Sequence, residues 1–148
     1  MLIDCNNSVE SLNTVIAGEK EVGLDLYMLS ILQSLNIDIN GIMKENGLSQ
    51  IAVYGMGKVG KAFTLFMKTN SIIVKYGVDR DPNLVFVGLD MRHSPNEITD
   101  DVDAIVVTSS FSFEEIADSI SNLDISIKII KLRELINCFL MKPIPLAF

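Results

Sequence analysis

The stretch that decides the fold is Ile51-Ala52-Val53-Tyr54-Gly55-Met56-Gly57-Lys58-Val59-Gly60. A short β-branched run leads into Gly-x-Gly-x-x-Gly, and the residues after it carry helical spacing. Val59, Ala62, Phe63, Phe66 and Met67 fall at i, i+3, i+4, i+7 and i+8, one face of a helix. In such a strand–loop–helix unit Gly55 lets the chain turn off the strand. Gly57 removes a side chain that would meet a phosphate, and Gly60 lets the helix lie close. The unpaired N–H groups and positive dipole end of the helix then favour an anion above the loop. About 20 residues further on, the next β-rich run ends at Asp79, where an acid can accept hydrogen bonds from ribose hydroxyls. Strand, glycine loop, helix, strand and acid in this order predict a nucleotide- or dinucleotide-binding unit. The competing reading is that the glycines only permit tight packing in a fold that holds no ligand.

Outward from this unit the alternation continues. Strands are expected at 72–78, 84–87, 104–108 and 125–132, with helices over 112–123 and 134–140. Ser94-Pro95-Asn96-Glu97 reads as a capped short helix, and Ser112 with Glu115 as a second capping box. Nearly all-apolar strands alternating with helices predict an α/β fold, a doubly wound parallel sheet of five strands in the order 3-2-1-4-5. On the N-terminal side the spacing is helical throughout. One helix runs to Gly18, which ends it, a second covers 22–35 and a short third covers 39–45. The chain therefore divides into a helical extension, 1–48, and a nucleotide-binding domain, 49–148.

Arg80 follows Asp79 and could pair with a 2′-phosphate, which Asp79 would repel. The pair leans towards NAD, a ribose or a nucleotide sugar and leaves NADP open. Asp79-Arg80-Asp81-Pro82 also reads as an ordinary polar turn. Lys58 and Lys61 occupy the first helical turn, where cations are disfavoured unless an anion lies overhead. Thr108, Ser109 and Ser110 lie at the carboxyl end of the fourth strand, beside the expected ligand crevice. They could bond a ribose, phosphate or sugar, or only shape the turn before Ser112. The candidate ligand-binding residues are therefore Gly55, Met56, Gly57, Lys58, Val59, Gly60, Asp79, Arg80, Thr108, Ser109 and Ser110.

Composition sets the outer limits. Of 148 residues 49% are hydrophobic and 21% charged, which excludes intrinsic disorder. The formal net charge of −7 argues against a nucleic-acid partner. No apolar run approaches the roughly 18 residues of a membrane span. Met1-Leu2-Ile3-Asp4-Cys5 lacks the basic and apolar regions of a signal peptide, and the two cysteines, Cys5 and Cys138, suit a reducing compartment. A cytoplasmic location is expected. A single histidine, His93, and no Cys-x-x-Cys leave no recognisable metal site. His93 reads as a surface or packing residue and Cys138 as a small core residue. No Tyr-x-x-x-Lys pair, nucleophile elbow or Walker loop occurs, so no catalytic residue is assigned. The sheet has no following substrate domain within the chain.

Ile51 to Gly60, Val78-Asp79-Arg80-Asp81-Pro82 and Asp103-Ala104-Ile105-Val106-Val107-Thr108-Ser109 together resemble the small NAD(P)-binding Rossmann-like domains of bacterial surface-polysaccharide biosynthesis. Those domains are similar to the nucleoside-diphosphate-sugar epimerase/dehydratase fold. The resemblance covers roughly residues 36–135. It implies ligand-loop roles for Gly55, Gly57 and Gly60, a ribose role for Asp79, and NAD, NADP or a nucleotide sugar as ligand. The epimerase catalytic motif is absent. Three functions follow as expectations: an accessory nucleotide-binding module in cell-surface polysaccharide assembly, a minimal oxidoreductase completed by a partner chain, or a non-binding structural partner of a glycosyltransferase. A homo-oligomer is also expected. The helix 22–35 is apolar nearly all round, and the chain ends Pro143-Ile144-Pro145-Leu146-Ala147-Phe148.

Overall fold

The computed structural model describes the backbone of residues 5–141 and the side chains of 19–141. The apolar C-terminal tail, Cys5 as a side chain and the residues before it lie outside the described part. The elements follow as α1 (Cys5–Ser34), α2 (Ile39–Glu45), β1 (Gln50–Tyr54), α3 (Lys58–Thr69), β2 (Ile73–Val78), β3 (Asp90–Arg92), a 3-10 turn (Pro95–Glu97), β4 (Ala104–Val107), α4 (Phe113–Ser121), β5 (Lys128–Lys131) and α5 (Leu132–Met141). The five strands form one parallel sheet in the order β3-β2-β1-β4-β5, the Rossmann-like arrangement expected from the sequence.

Alternation along β1 builds two cores. Ile51 and Val53 face one side, where Phe63, Phe66 and Met67 of α3, Ile39 and Met43 of α2, Leu29 and Leu32 of α1 and Ile136 and Phe139 of α5 enclose them. Ala52 and Tyr54 face the other side, with Tyr76, Val78, Ile105, Val107 and Ile116 and Ile120 of α4. A central strand buried on both faces reads as a continuous apolar run. The helical extension is thus part of the first core. No helix among the described residues is long and apolar enough to cross a membrane.

Several element boundaries depart from the sequence reading. Gly18 does not stop a helix, and α1 runs unbroken through it for 30 residues. A glycine inside a helix costs about 1 kcal/mol against alanine, which packing can override. Its apolar residues divide: Leu29 and Leu32 are buried, whereas Val22, Leu24 and Tyr27 remain exposed, as does Leu35 just past its end. The third strand is Asp90–Arg92 and not 84–87, which is a loop with Val87 95% exposed. Only Phe86 of that run turns inward, with Lys68 Nζ 5.0 Å from its ring centre. The polar strand is held instead by Arg92, which stacks 3.7 Å over Tyr76 and donates to the Glu97 carbonyl at 2.9 Å. β5 is shorter than expected and passes directly into α5, which begins at Leu132. The Ser112 side chain makes no cap bond; Ser109 Oγ accepts from the Ser112 N–H at 3.2 Å instead. Ser94 caps as expected, accepting from the Asn96 N–H at 3.3 Å.

One charged cluster ties α1 to α5. The Asp25 carboxylate is 3% exposed and accepts from Arg133 Nε at 2.8 Å and Nη2 at 2.7 Å, while Glu21 accepts from the same Nη2 at 2.8 Å. Burial pushes the Asp25 carboxyl up, outweighing the hydrogen bond and charge of Arg133, which lower it.

Candidate glycine-loop and nucleoside cleft

The turn from β1 into α3 is built from backbone. Gly55 has φ +96°, a left-handed conformation open to glycine, and its N–H donates to the Val78 carbonyl at 2.8 Å. Thr108 Oγ1 donates to the Gly55 carbonyl at 2.7 Å, so the end of β4 braces the loop. A Cβ on Gly60 would collide with the Gly55 carbonyl oxygen, whereas one on Gly57 would meet nothing within 4 Å. The two glycines therefore do different work. Gly60 permits close packing, and Gly57 keeps open the space above the first turn of α3. The Lys61 N–H bonds the Gly57 carbonyl at 2.9 Å, and the N–H groups of Lys58, Val59 and Gly60 have no acceptor among the described residues.

Asp79 directly follows β2 and reaches back to this loop. Its Oδ2 accepts from the Met56 N–H at 2.8 Å and its Oδ1 from the Asp81 N–H at 2.9 Å. Each oxygen keeps a second lone-pair direction. The Asp79 carbonyl oxygen lies 2.9 Å from His93 Nδ1 and accepts from it, which fixes the proton on that nitrogen and gives His93 a bracing role.

A cleft of about 220 Å³ opens beside the loop, lined by Tyr54, Gly55, Asp79, Arg80, Ser109, Ser112, Glu115 and Ile116. Arg80 Nη1 and Glu115 Oε1 stand 3.5 Å apart, with both side chains largely exposed. Such a pair is weak and easily parted. Tyr54 is 3% exposed, and its hydroxyl is the one buried side-chain oxygen or nitrogen without a hydrogen-bond partner among the described residues. An enclosed hydroxyl left so costs roughly 1–3 kcal/mol.

The candidate residues thus separate into groups. Gly55, Asp79, Arg80 and Ser109 meet in the cleft. Gly57 and Lys58 lie exposed at the start of α3, and Met56 contributes only its N–H because its side chain is fully buried. Val59 packs in the first core, and the Thr108 hydroxyl proton is engaged by the loop. Ser110 faces a different cavity. Tyr54, Ser112, Glu115 and Ile116 were missed as lining residues. Tyr54 immediately precedes the first glycine, and Glu115 and Ile116 lie at the start of α4, the helix that follows the β4 strand end, so position relative to the loop was the available signal. Comparison with protein-family models, curated proteins and solved structures finds no match to the chain.

Proposed function

We propose that the protein is a nucleotide-binding module that takes NAD(P) or a nucleotide sugar, with the nucleoside half in the cleft and the diphosphate over Gly57. The observation that carries this reading is the Asp79 carboxylate, bonded to the glycine-loop N–H of Met56 and lining the cleft at the same time. An acid so placed can hold ribose hydroxyls within reach of the unpaired N–H groups of α3. A cleft of about 220 Å³ suits a nucleoside, with the remainder of the ligand lying along the strand ends. A place in cell-surface polysaccharide assembly rests on the resemblance of the glycine-loop sequence.

Thermal unfolding with NAD, NADP, UDP-, GDP- and CDP-sugars and CoA tests this directly. A bound ligand adds about 2.7 kcal/mol at a hundredfold excess over Kd. Gly57→Val is expected to unfold at the parent temperature without ligand and to lose the ligand-induced rise, because its side chain enters open space above the loop. A parent-like rise in that variant excludes phosphate at this position.

Ribose recognition gives a second expectation. Asp79→Asn keeps an oxygen for the Met56 N–H and removes the charge. Affinity for NADP should rise relative to NAD by about tenfold, the scale of one charge-assisted hydrogen bond and one relieved repulsion. Calorimetric titrations giving an unchanged NADP-to-NAD ratio exclude Asp79 from the ribose.

A further inference from the structure

A second cavity, of about 370 Å³, opens across the 109–112 turn and shares no lining residue with the nucleoside cleft. Glu21 of α1, Ser110 and Phe111 of the turn, Lys131 at the end of β5 and Arg133 in the first turn of α5 form its wall. Its size falls in the range of small-molecule sites, about 300–1,000 Å³.

The donors here are incompletely matched. Arg133 places Nε and Nη2 on Asp25 and Glu21, which leaves Nη1 with no acceptor among the described residues. Asp25 is not part of the wall. Lys131 is half-buried and has no carboxylate within ion-pair distance among the described residues; the Phe113 ring centre lies 5.5 Å from Nζ, and the buried Asp25 carboxylate acts on the ammonium from further away. The Ser110 hydroxyl is equally without a partner among them. With Asp25 behind the wall the two cations and two carboxylates balance, and what the wall offers an anion is its unmatched donors, Lys131 Nζ, Arg133 Nη1 and the Ser110 hydroxyl. Phe111 adds an aromatic ring that is 60% exposed.

We propose that this cavity binds the oxyanion end, carboxylate or phosphate, of a small organic molecule. Lys131 and Arg133 Nη1 take the anion, the Ser110 hydroxyl donates to it, and Phe111 packs on the organic body. The site goes beyond the nucleotide reading and does not depend on it.

The test is a nuclear magnetic resonance titration of the full-length, ¹⁵N-labelled chain with phenyl phosphate, benzoate, inorganic phosphate and neutral benzyl alcohol. Phenyl phosphate or benzoate should shift the amide signals of Ser110, Phe111 and Lys131 saturably, and the tighter of the two identifies the anion as phosphate or carboxylate. Inorganic phosphate should bind more weakly, for want of a body against Phe111. Lys131→Gln should weaken binding about tenfold and Lys131→Arg restore it, with the rest of the spectrum reporting an intact fold. No saturable shift, equal binding of benzyl alcohol, inorganic phosphate as tight as either aromatic anion, or an unaffected Lys131→Gln variant overturns the proposal. ADP added separately keeps the two sites apart. Shifts confined to 55–60 and 79 belong to the nucleotide reading, and their absence alongside saturable anion binding removes that reading alone.

Discussion

Gly60→Ala is expected to lower stability by roughly 3 kcal/mol, although the substitution adds a single methyl group and improves helix propensity. Alanine in place of glycine inside a helix gains about 1 kcal/mol on propensity alone. At this position the new Cβ lands on the Gly55 carbonyl oxygen, and both partners are backbone. Neither can rotate away, so α3 must lift from the end of β1. That displacement loosens Phe63, Phe66 and Met67, which form the middle of the first core. Urea unfolding should show a lower midpoint with an unchanged slope, and thermal unfolding a fall of roughly 10 °C. Gly57→Val is the matched control, since it adds more atoms into open space only three residues away. If Gly60→Ala unfolds at the parent midpoint, the close approach of helix and loop is wrong.

The second large effect concerns the clamp between α1 and α5. Arg133→Met removes both hydrogen bonds from an Asp25 carboxylate that is 3% exposed. Breaking a buried ion pair from one side costs about 3–5 kcal/mol; the low end, about 3, applies here because the guanidinium is itself 22% exposed. The loss depends on pH in a direction that can be worked out. Burial raises the Asp25 carboxyl above its ordinary 3.8, and Arg133 opposes the rise. Without Arg133 the carboxyl goes higher still. A carboxyl raised in the folded state binds its proton more tightly there, so its contribution is full below the unfolded value and is lost as pH rises through the folded one. The variant should therefore approach the parent near pH 4 and fall furthest behind at about pH 7. Equal deficits in urea unfolding at the two pH values would show that Asp25 is not held by Arg133.

The order of the sheet was legible because it follows from local signals that agree. Uninterrupted apolar runs at 51–54 and 104–107 demand cover on both faces, and the glycine loop fixes where the first crossover helix begins. What was not legible depended on distant partners. Asp90-Met91-Arg92 has no strand signature, and it pairs with β2 because Arg92 finds Tyr76 and the Glu97 carbonyl. Leu84 to Val87 has the composition of a strand but lacks a partner edge. Nothing in the local spacing marks Asp25, whose role requires Arg133, 108 positions away. In the site, Gly55, Asp79, Arg80 and Ser109 converge, whereas Thr108 serves the loop and Ser110 turns away. Spacing along the chain places residues at a strand end, and the local backbone decides which side of the turn each faces.

The packing of α1 against α5 has a consequence for how the chain is made. Helix α1 finds part of its packing surface in α5, which lies far later in the chain. Until residue 133 emerges, Asp25 has no guanidinium, and β1 lacks its neighbour β4 until residue 104 is available. The nascent protein therefore carries an open edge on β1 until β4 emerges, and α1 meets α3 well before it meets α5. Closing a loop of 108 residues costs only slightly more entropy than closing one of half that length, about 0.6 kcal/mol per doubling. The Asp25–Arg133 clamp forms only after α5 has been made.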